Sequence, residues 1–395
     1  MKIVFLTVWF SDKMGYIENC LPKALAKLGH DVHVVSSTAQ VYYNEPNFES
    51  IYKPYLGENI LQPGKSQIDG FTLHRLPFRT IGGKILIKNL GKKLKEIEPD
   101  IVQSFDPFSF ITLQGAFYKP RLGYKYFTAN HIVASVFPLY HKDKNNYFKK
   151  ALFFVTRTIP GKLIAQITSR CYPATIDALE IAVKYYGVPT SKAKLVPLGV
   201  DTDFFYPLKM ANRETIRTGF GIGASDLLCI YTGRFTEGKN PLLLAKAIHK
   251  LVEMNEPFKA LFLGDGPQKE EIKKLKGCIV HDFIPYHELP EFYRISDIGV
   301  WPRQESTSML DATACGLPII ISNRVQAKER IEGNGLTYIE NDVDDLVTQL
   351  LMMKDNQIRN KFSAVGVEKI KNHFSWQCIA KEREKDYMEF LGITN

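Results

Sequence analysis

Short apolar runs that each break into a polar or glycine-bearing loop and then a helix recur along this chain, and that alternation admits few folds. In the second half, LLCIYTGR (residues 227–234) reads as a strand entering a loop and PLLLAKAIHKLVE as a helix. KALFLGDGP then reads as a strand and turn, QKEEIKKLK as a helix, and CIVHDFIP, HELPEFYRIS, DIGVWP, LPIIIS and GLTYIE continue the series. The first half opens in the same way. A strand over residues 2–8 is followed by a glycine-containing loop, a helix over about residues 17–28 and a second strand over residues 31–36. Leu21, Ala24, Leu25 and Leu28 form the buried stripe of that helix, and Gly29 stops it. Strand–helix–strand units with short connections build parallel sheets with right-handed crossovers. The expected fold class is therefore α/β, with two doubly wound, Rossmann-like domains.

The unit recurs from Leu90, where a Lys-rich helix leads through Pro99 and Asp100 into IVQSF. Residues 37–83 are rich in Tyr, Pro, Asn and Gly and read as irregular insertions with short strands. A boundary is expected near VPLGVDTDFFYP (residues 196–207), after which the alternation restarts. FSWQCIAKEREKDYMEFL (residues 374–391) reads as a terminal helix. The expected division is an N-terminal domain over 1–195, a C-terminal domain over 196–373 and the terminal helix over 374–395.

With 395 residues, 45% hydrophobic and 24% charged, the chain has material for a core in each half. No apolar run approaches the ~18 residues of a membrane span. The start, MKIVFLTVWFSDKMG, has no small-residue cleavage site and reads as a buried first strand rather than a signal peptide. Cys20, Cys171, Cys229, Cys278, Cys315 and Cys378 show no C-x-x-C spacing, so neither a zinc site nor a disulfide framework is expected, and a reducing, cytoplasmic compartment is inferred. The net charge of +9 is uneven: residues 1–195 hold 26 Lys and Arg against 14 Asp and Glu, and the rest 25 against 28. A basic half suits an anionic partner such as a membrane surface or lipid phosphate, or is simply a solvated face. No nucleic-acid recognition module accompanies the charge, which disfavours a nucleic-acid partner. Residues 143–167, DKNNYFKKALFFVTRTIPGKLIAQI, read as a core helix with solvated lysines. Together with KPRLGYKY, the KKALFFVTR within that stretch would also suit an anionic membrane.

In parallel α/β sheets, ligands collect at the carboxyl ends of strands, where helix N-termini offer free N–H groups. Several loops fall there. Arg234 and Lys239 in TGRFTEGKN can stabilise charge on a departing diphosphate, or are solvated loop residues. WPRQESTSMLDATACGLPIIIS carries a polar loop into a helix start at which Asp311 lies. Cations on one loop and hydroxyls with a carboxylate on another suit a nucleotide-sugar. Gly15, between the first strand and helix, allows close approach of a phosphate or is a plain turn, and the absence of G-x-G-x-x-G disfavours a dinucleotide cofactor. His131 in YFTANHIVASVF could exchange a hydrogen bond with a sugar hydroxyl or be an ordinary core residue. Gly264 in LGDGP and Ile284 in FIPYHELP could bring backbone to a ligand. The Asp201-Thr-Asp203 segment, followed at once by Phe-Phe-Tyr-Pro, reads as structural rather than as a metal site. No metal site is expected.

Taken together, GHDVHVVSS, VPLGVDTDFFYP, TGRFTEGKN, FLGDGP, FIPYHELPEFYRISDIGVWP, LDATACGLPIIIS and FSWQ resemble the family-4 retaining glycosyltransferases, over nearly the whole chain. The resemblance implies the glycosyltransferase-B fold, two Rossmann-like domains facing a cleft. The first would bind the acceptor, the second the nucleotide-sugar, and the terminal helix would pack back on the first. It assigns Arg234 and Lys239 to the donor diphosphate and His131 to the transferred sugar. Gly15 would lie near the donor phosphates, and Asp311 would hold the ribose as the second acid of an E-x7-E motif. Gly264, Ile284, Glu305, Ser306, Thr307, Ser308 and Met309 would line the rest of the donor site. Arg303 stands where the first Glu of that motif belongs, with Glu305 two residues on. The expected activity is a retaining, metal-independent hexosyltransferase with no cofactor. Its partners would be a nucleotide-sugar donor, a glycan or lipid-linked acceptor and an anionic membrane surface, at the inner face of which it would sit. A nucleotide-sugar epimerase or an inactive binding protein of the same fold is the alternative. An epimerase needs an acid/base pair, and the sequence offers none.

Overall fold

The computed structural model describes residues 1–134, 137, 139, 147–325 and 327–393. The chain forms two compact units, one of residues 1–198 with 376–395 and one of residues 199–375.

The first unit contains β1 (Lys2–Leu6), β2 (Asp31–Ser37), β3 (Gly64–Ile68), β4 (Phe71–Leu76), β5 (Phe78–Ile81), β6 (Lys84–Ile87), β7 (Ile101–Ser104), β8 (Lys125–Asn130) and β9 (Arg170–Pro173). Seven of these form one sheet in the order β3-β4-β2-β1-β7-β8-β9, parallel except for β3 against β4. β5 and β6 make a separate hairpin closed by Gly82 and Gly83 at φ 54° and 71°, the left-handed backbone that a two-residue turn requires. Ile3, Phe5, Val32, Val34, Ile101 and Phe127 are buried against one helical layer, and Val4, Leu6, Val35, Val102 and Tyr126 against the other. Burial on both faces explains why these strands are continuously apolar rather than alternating.

Two sequence expectations need amendment. Residues 37–83 do carry irregular chain, but β4 lies inside the main sheet, paired in parallel with β2, with Phe71 and Leu73 in the core. Of the stretch 143–167, residues 143–146 lie outside the described residues. The remainder is helical from Tyr147 to Ile167, but it is not a core helix. Its inner side buries Thr158, Gly161, Ile164 and Ala165, while Leu152, Val155, Ile159 and Leu163 are exposed. A helix with apolar residues on more than one side can bury only the side that meets the domain.

The terminal helix Trp376–Leu391 packs within this first unit against the helix Ile17–Lys27. Arg383 is buried there and donates to Gln103 Oε1 of β7 at 2.7 Å, with Tyr387 OH donating to the same atom at 2.6 Å. The Arg383 guanidinium lies 3.3 Å from the centroid of the Tyr172 ring. Asp386 accepts from Arg170 at 2.7 Å and from Lys194 at 2.8 Å.

The second unit contains β10 (Leu227–Thr232), β11 (Phe258–Leu263), β12 (Cys278–His281), β13 (Ile298–Trp301), β14 (Ile319–Ser322) and β15 (Gly335–Tyr338). They form a wholly parallel sheet ordered β12-β11-β10-β13-β14-β15, so the order reverses at β10. Such a switch point leaves a crevice beyond the carboxyl ends of the central strands, here β10 and β13. Where the chain enters and leaves this unit, the Val200 N–H donates to the Phe374 carbonyl at 2.7 Å. Among the described residues no helix is long and apolar enough to cross a membrane.

Candidate functional site: a cationic loop pair at the switch point

In the second unit the loops after β10 and β13 are stitched together at the crevice. Trp301, the last residue of β13, sends its indole N–H to the Thr232 carbonyl at 3.2 Å and to Ser308 Oγ at 3.1 Å. Ser308 Oγ lies 2.6 Å from Ser306 Oγ. Lys239 completes the bridge, its ammonium donating to the Glu305 carbonyl at 2.6 Å. Burial lowers the Lys239 pKa to about 8, the Glu305 carboxylate opposes that fall, and Arg234 and Arg330 add to it. Lys239 and Arg330 therefore both donate to one polar loop, and Arg234 lies near enough for its charge to act on Lys239.

Arg330 is a member of this group that sequence reasoning missed. It is 4% exposed, and its guanidinium donates to the Ser306 carbonyl at 3.3 Å. The segment around it, RVQAKER, matches no motif. The usable signal was its place in the loop after the apolar strand β14, which the carboxyl-end rule covers.

The loop bearing Arg234 is held by backbone packing. Gly233 N–H donates to the Leu263 carbonyl at 3.1 Å, and Phe235 N–H to the Asp265 carbonyl at 2.8 Å. Gly264 sits at φ 145°, and a Cβ there would fall 2.1 Å from the Gly233 oxygen. Gly264 thus fixes the height at which Arg234 stands. Ile284 is buried in the loop after β12, and Met309 within the helix Ser308–Ala314, while Thr307 is exposed and Ser306 half-buried.

Arg303 is turned onto this same framework, donating to the Glu237 carbonyl at 3.2 Å with its Nε 3.9 Å from Glu340 Oε1. Glu340 in turn accepts from Ser322 Oγ at 2.9 Å. Asp311, in the first turn of Ser308–Ala314, is 7% exposed. Burial, and then the negative charge of Asp201, hold its carboxyl well above the ordinary carboxylate range. Asp201 Oδ1 also accepts from the Asp203 N–H at 3.1 Å, and its carbonyl from Phe204 and Phe205, as a turn-forming residue does. Among the described residues no group of three or more His, Cys, Asp and Glu side chains could hold a metal ion.

Gly15 and His131 belong to the first unit. Gly15 lies in residues 7–16, between β1 and the helix Ile17–Lys27. This loop is braced by Lys13, whose ammonium donates to the Tyr55 carbonyl at 2.5 Å and whose own carbonyl accepts from Tyr55 OH. His131 follows β8, its ring 6.3 Å from that of Phe105. Burial, helped by the positive charge of Arg383, lowers its pKa to about 4. The imidazole is therefore neutral at physiological pH and can both accept and donate one hydrogen bond. Sequence reading found no acid/base pair, yet two carboxyls interact here. Burial raises Glu18 to about 7, with a further push from Asp106. Asp106 is itself raised by burial, against a 2.6 Å hydrogen bond from Thr112 Oγ1. Neither belonged to a motif; Asp106 follows the carboxyl end of β7, and Glu18 lies in the first turn of the helix Ile17–Lys27.

Comparison with known proteins follows the same division of the chain. The glycosyltransferase family 4 profile matches residues 21–204 and the glycosyl transferases group 1 profile residues 212–368. Among curated relatives, alpha-monoglucosyldiacylglycerol synthase of Acholeplasma laidlawii is 21% identical over 95% of this chain and 93% of its own length. The UDP-Gal:alpha-D-GlcNAc-diphosphoundecaprenol alpha-1,3-galactosyltransferase of Escherichia coli is 26% identical over 53% of this chain and 58% of its own. Sucrose-phosphate synthase of Thermosynechococcus elongatus superposes with a TM-score of 0.71 at 16% identity, covering 100% of both chains. HepE of Anabaena, in complex with UDP-glucose, gives 0.68 at 16% identity, again over 100% of each. Two parallel α/β units, with a polar and cationic loop pair at a switch point, define a glycosyltransferase of the glycosyltransferase-B fold. The chain belongs to the group 1 glycosyl transferases, with a family 4 N-terminal half, and is an enzyme that transfers a sugar.

Proposed function

We propose that the enzyme moves a hexose, with retention at the anomeric carbon, from a nucleoside-diphosphate sugar to a lipid-linked or glycan acceptor. The grouping of Lys239 and Arg330 on the loop 302–307, with the charge of Arg234 acting on Lys239, carries this reading. A diphosphate leaving group develops negative charge as the glycosidic bond breaks, and fixed cations stabilise that charge without reorganising. The same cations supply the charge a divalent ion would otherwise provide, so the proposed reaction uses neither a metal nor a cofactor. Asp311 and the hydroxyls of Ser306 to Ser308 would position the nucleoside side of the donor. His131, neutral, would hold a hydroxyl of the transferred sugar. Such a reaction depends on positioning and charge more than on a protein nucleophile. Relatives named for acting on diacylglycerol, diphosphoundecaprenol and phosphatidylinositol carriers support a lipid-linked acceptor. We place the enzyme in the cytoplasm, peripherally at an anionic membrane face.

The test is a donor screen: calorimetric binding and product release with UDP-, GDP-, ADP- and CMP-sugars, with and without a chelator, and anomeric configuration by NMR. One donor bound tightly, turned over in chelator and giving a retained anomer is the expected result. Chelator-sensitive turnover would overturn metal independence, and an inverted product would overturn retention. Failure to bind any donor by a folded protein would overturn the donor assignment.

A further inference from the structure

The helical run from Tyr147 to Ile167 is apolar on the side that faces away from its own domain. Leu152, Val155, Ile159 and Leu163 recur at intervals of three, four and four residues, which places them on one stripe of a helix. They are 52%, 60%, 43% and 58% exposed, whereas surface helices normally present polar residues there. The run is continuous because a wider, π-helical turn (Phe154–Thr158) accommodates Pro160, which has no N–H to give. Its inner side is fully engaged: Phe153 packs edge-on to Phe137 and Tyr185, and Thr158, Gly161, Ile164 and Ala165 are buried.

The neighbouring helix Phe110–Leu122 extends the surface. Arg157 lies over the Phe108 ring at 5.3 Å, and Lys119 donates to the Ile167 carbonyl at 2.9 Å, so the two helices run side by side in the same direction. Phe117 on that second helix is 62% exposed. The sequence that carries these apolar groups is strongly basic. From residue 107 to 176 the sequence has ten Lys and Arg and a single carboxylate, Asp143, which lies outside the described residues. Lys150 and Lys162 are exposed beside the stripe.

We infer that this apolar stripe with its basic border is a docking surface for an anionic lipid bilayer, on which the helix lies in the plane of the interface. A second copy of the chain is a poor occupant, since pairing these faces would oppose two carboxylate-poor basic surfaces. Nucleic acid would meet the cations but leave the stripe in water. A membrane interface satisfies both at once: side chains enter the acyl boundary and ammonium groups stay among anionic headgroups. The helix interrupts its apolar sequence with Lys and Pro and spans nothing. The inference rests on the reading above only for its purpose, access to a lipid-linked acceptor.

The experiment is co-sedimentation of the full chain with vesicles of phosphatidylcholine alone or with about one-third phosphatidylglycerol, at low and high salt. The wild type should pellet with the anionic vesicles at low salt, and high salt should weaken binding. Val155→Glu with Leu163→Glu, and separately Lys150→Ser with Lys162→Ser, should each reduce partitioning by about tenfold or more. All four side chains are exposed, and an unchanged circular dichroism spectrum and donor affinity would show that the variants fold. Equal binding to neutral vesicles would overturn the charge complementarity. Unchanged binding in both double variants would overturn the assignment to this helix. A dimer by light scattering that Val155→Glu with Leu163→Glu converts to monomer would assign the stripe to self-association instead. No donor is present in the vesicle assay, so a failed donor screen with intact vesicle binding would sink the transferase mechanism and leave this surface standing.

Discussion

Replacing Lys239 with Met should make the protein more stable near neutral pH while removing its affinity for donor. The ammonium is held among Arg234 and Arg330, and the partner it donates to is a carbonyl, that of Glu305 at 2.6 Å. Burial and those two cations bring its pKa from 10.5 to about 8, which corresponds to a charged form disfavoured by about 3 kcal/mol. Met keeps most of the buried stem but forfeits the hydrogen bond, worth about 1 kcal/mol. The net gain is therefore about 1–2 kcal/mol, or roughly 3–6 °C in Tm for a unit of this size. The pH dependence distinguishes this origin from better packing. Between about pH 8 and 10.5 the folded protein has released the Lys239 proton and the unfolded chain still holds it, so wild-type stability rises with pH in that window. The advantage of Lys239→Met should accordingly shrink from pH 7 to 9.5, read by thermal unfolding with circular dichroism. A bound diphosphate would favour the charged ammonium, so donor binding near pH 8 should take up a proton, visible as buffer-dependent calorimetric heat. A variant less stable than wild type at pH 7, or a stability gap that stays constant with pH, would refute the argument.

Three further outcomes follow from the geometry. Gly264→Ala should destabilise the second unit by about 2–4 kcal/mol in urea unfolding and weaken donor binding, because its Cβ would meet the Gly233 oxygen at 2.1 Å and lift the Arg234 loop. His131→Ala should lower kcat by about 10² with nucleotide affinity unchanged. In the wild type, an NMR titration should place the His131 imidazole well below 6.5, and the unfolded chain's greater proton uptake should cost stability as pH falls from 6.5 toward 4. Arg383→Met should destabilise the first unit by about 3 kcal/mol, since it breaks a buried network with Gln103 and uncovers the Tyr172 face.

Burial exposes the limit of a pattern-based reading in the first unit. The stretch around Leu152 to Leu163 has enough apolar residues for a core helix, but pattern counts cannot say how many of a helix's sides meet protein. Residues 37–83 read as irregular because β4 is set among Gly- and Pro-bearing turns, and its place beside β2 is a long-range pairing that no local window contains.

The alternation of strands and helices in the second unit, the opening βαβ of the first, the largely parallel class of both sheets and the loops that carry Arg234, Lys239 and Asp311 were legible in the sequence. They depend on local periodicity and on the rule that places ligands at strand carboxyl ends. What only the tertiary structure decided are the encounters between distant loops. Arg330 joins Lys239 across 91 positions of sequence, the charge of Asp106 acts on Glu18, Arg383 reaches Gln103 from the far end of the chain, and Gly264 sets the height of Arg234. Charge and proton affinity follow from those encounters. A lysine's charge is a property of its residue type, whereas its pKa of about 8 depends on the burial and the two guanidinium groups that the folded chain gathers around it.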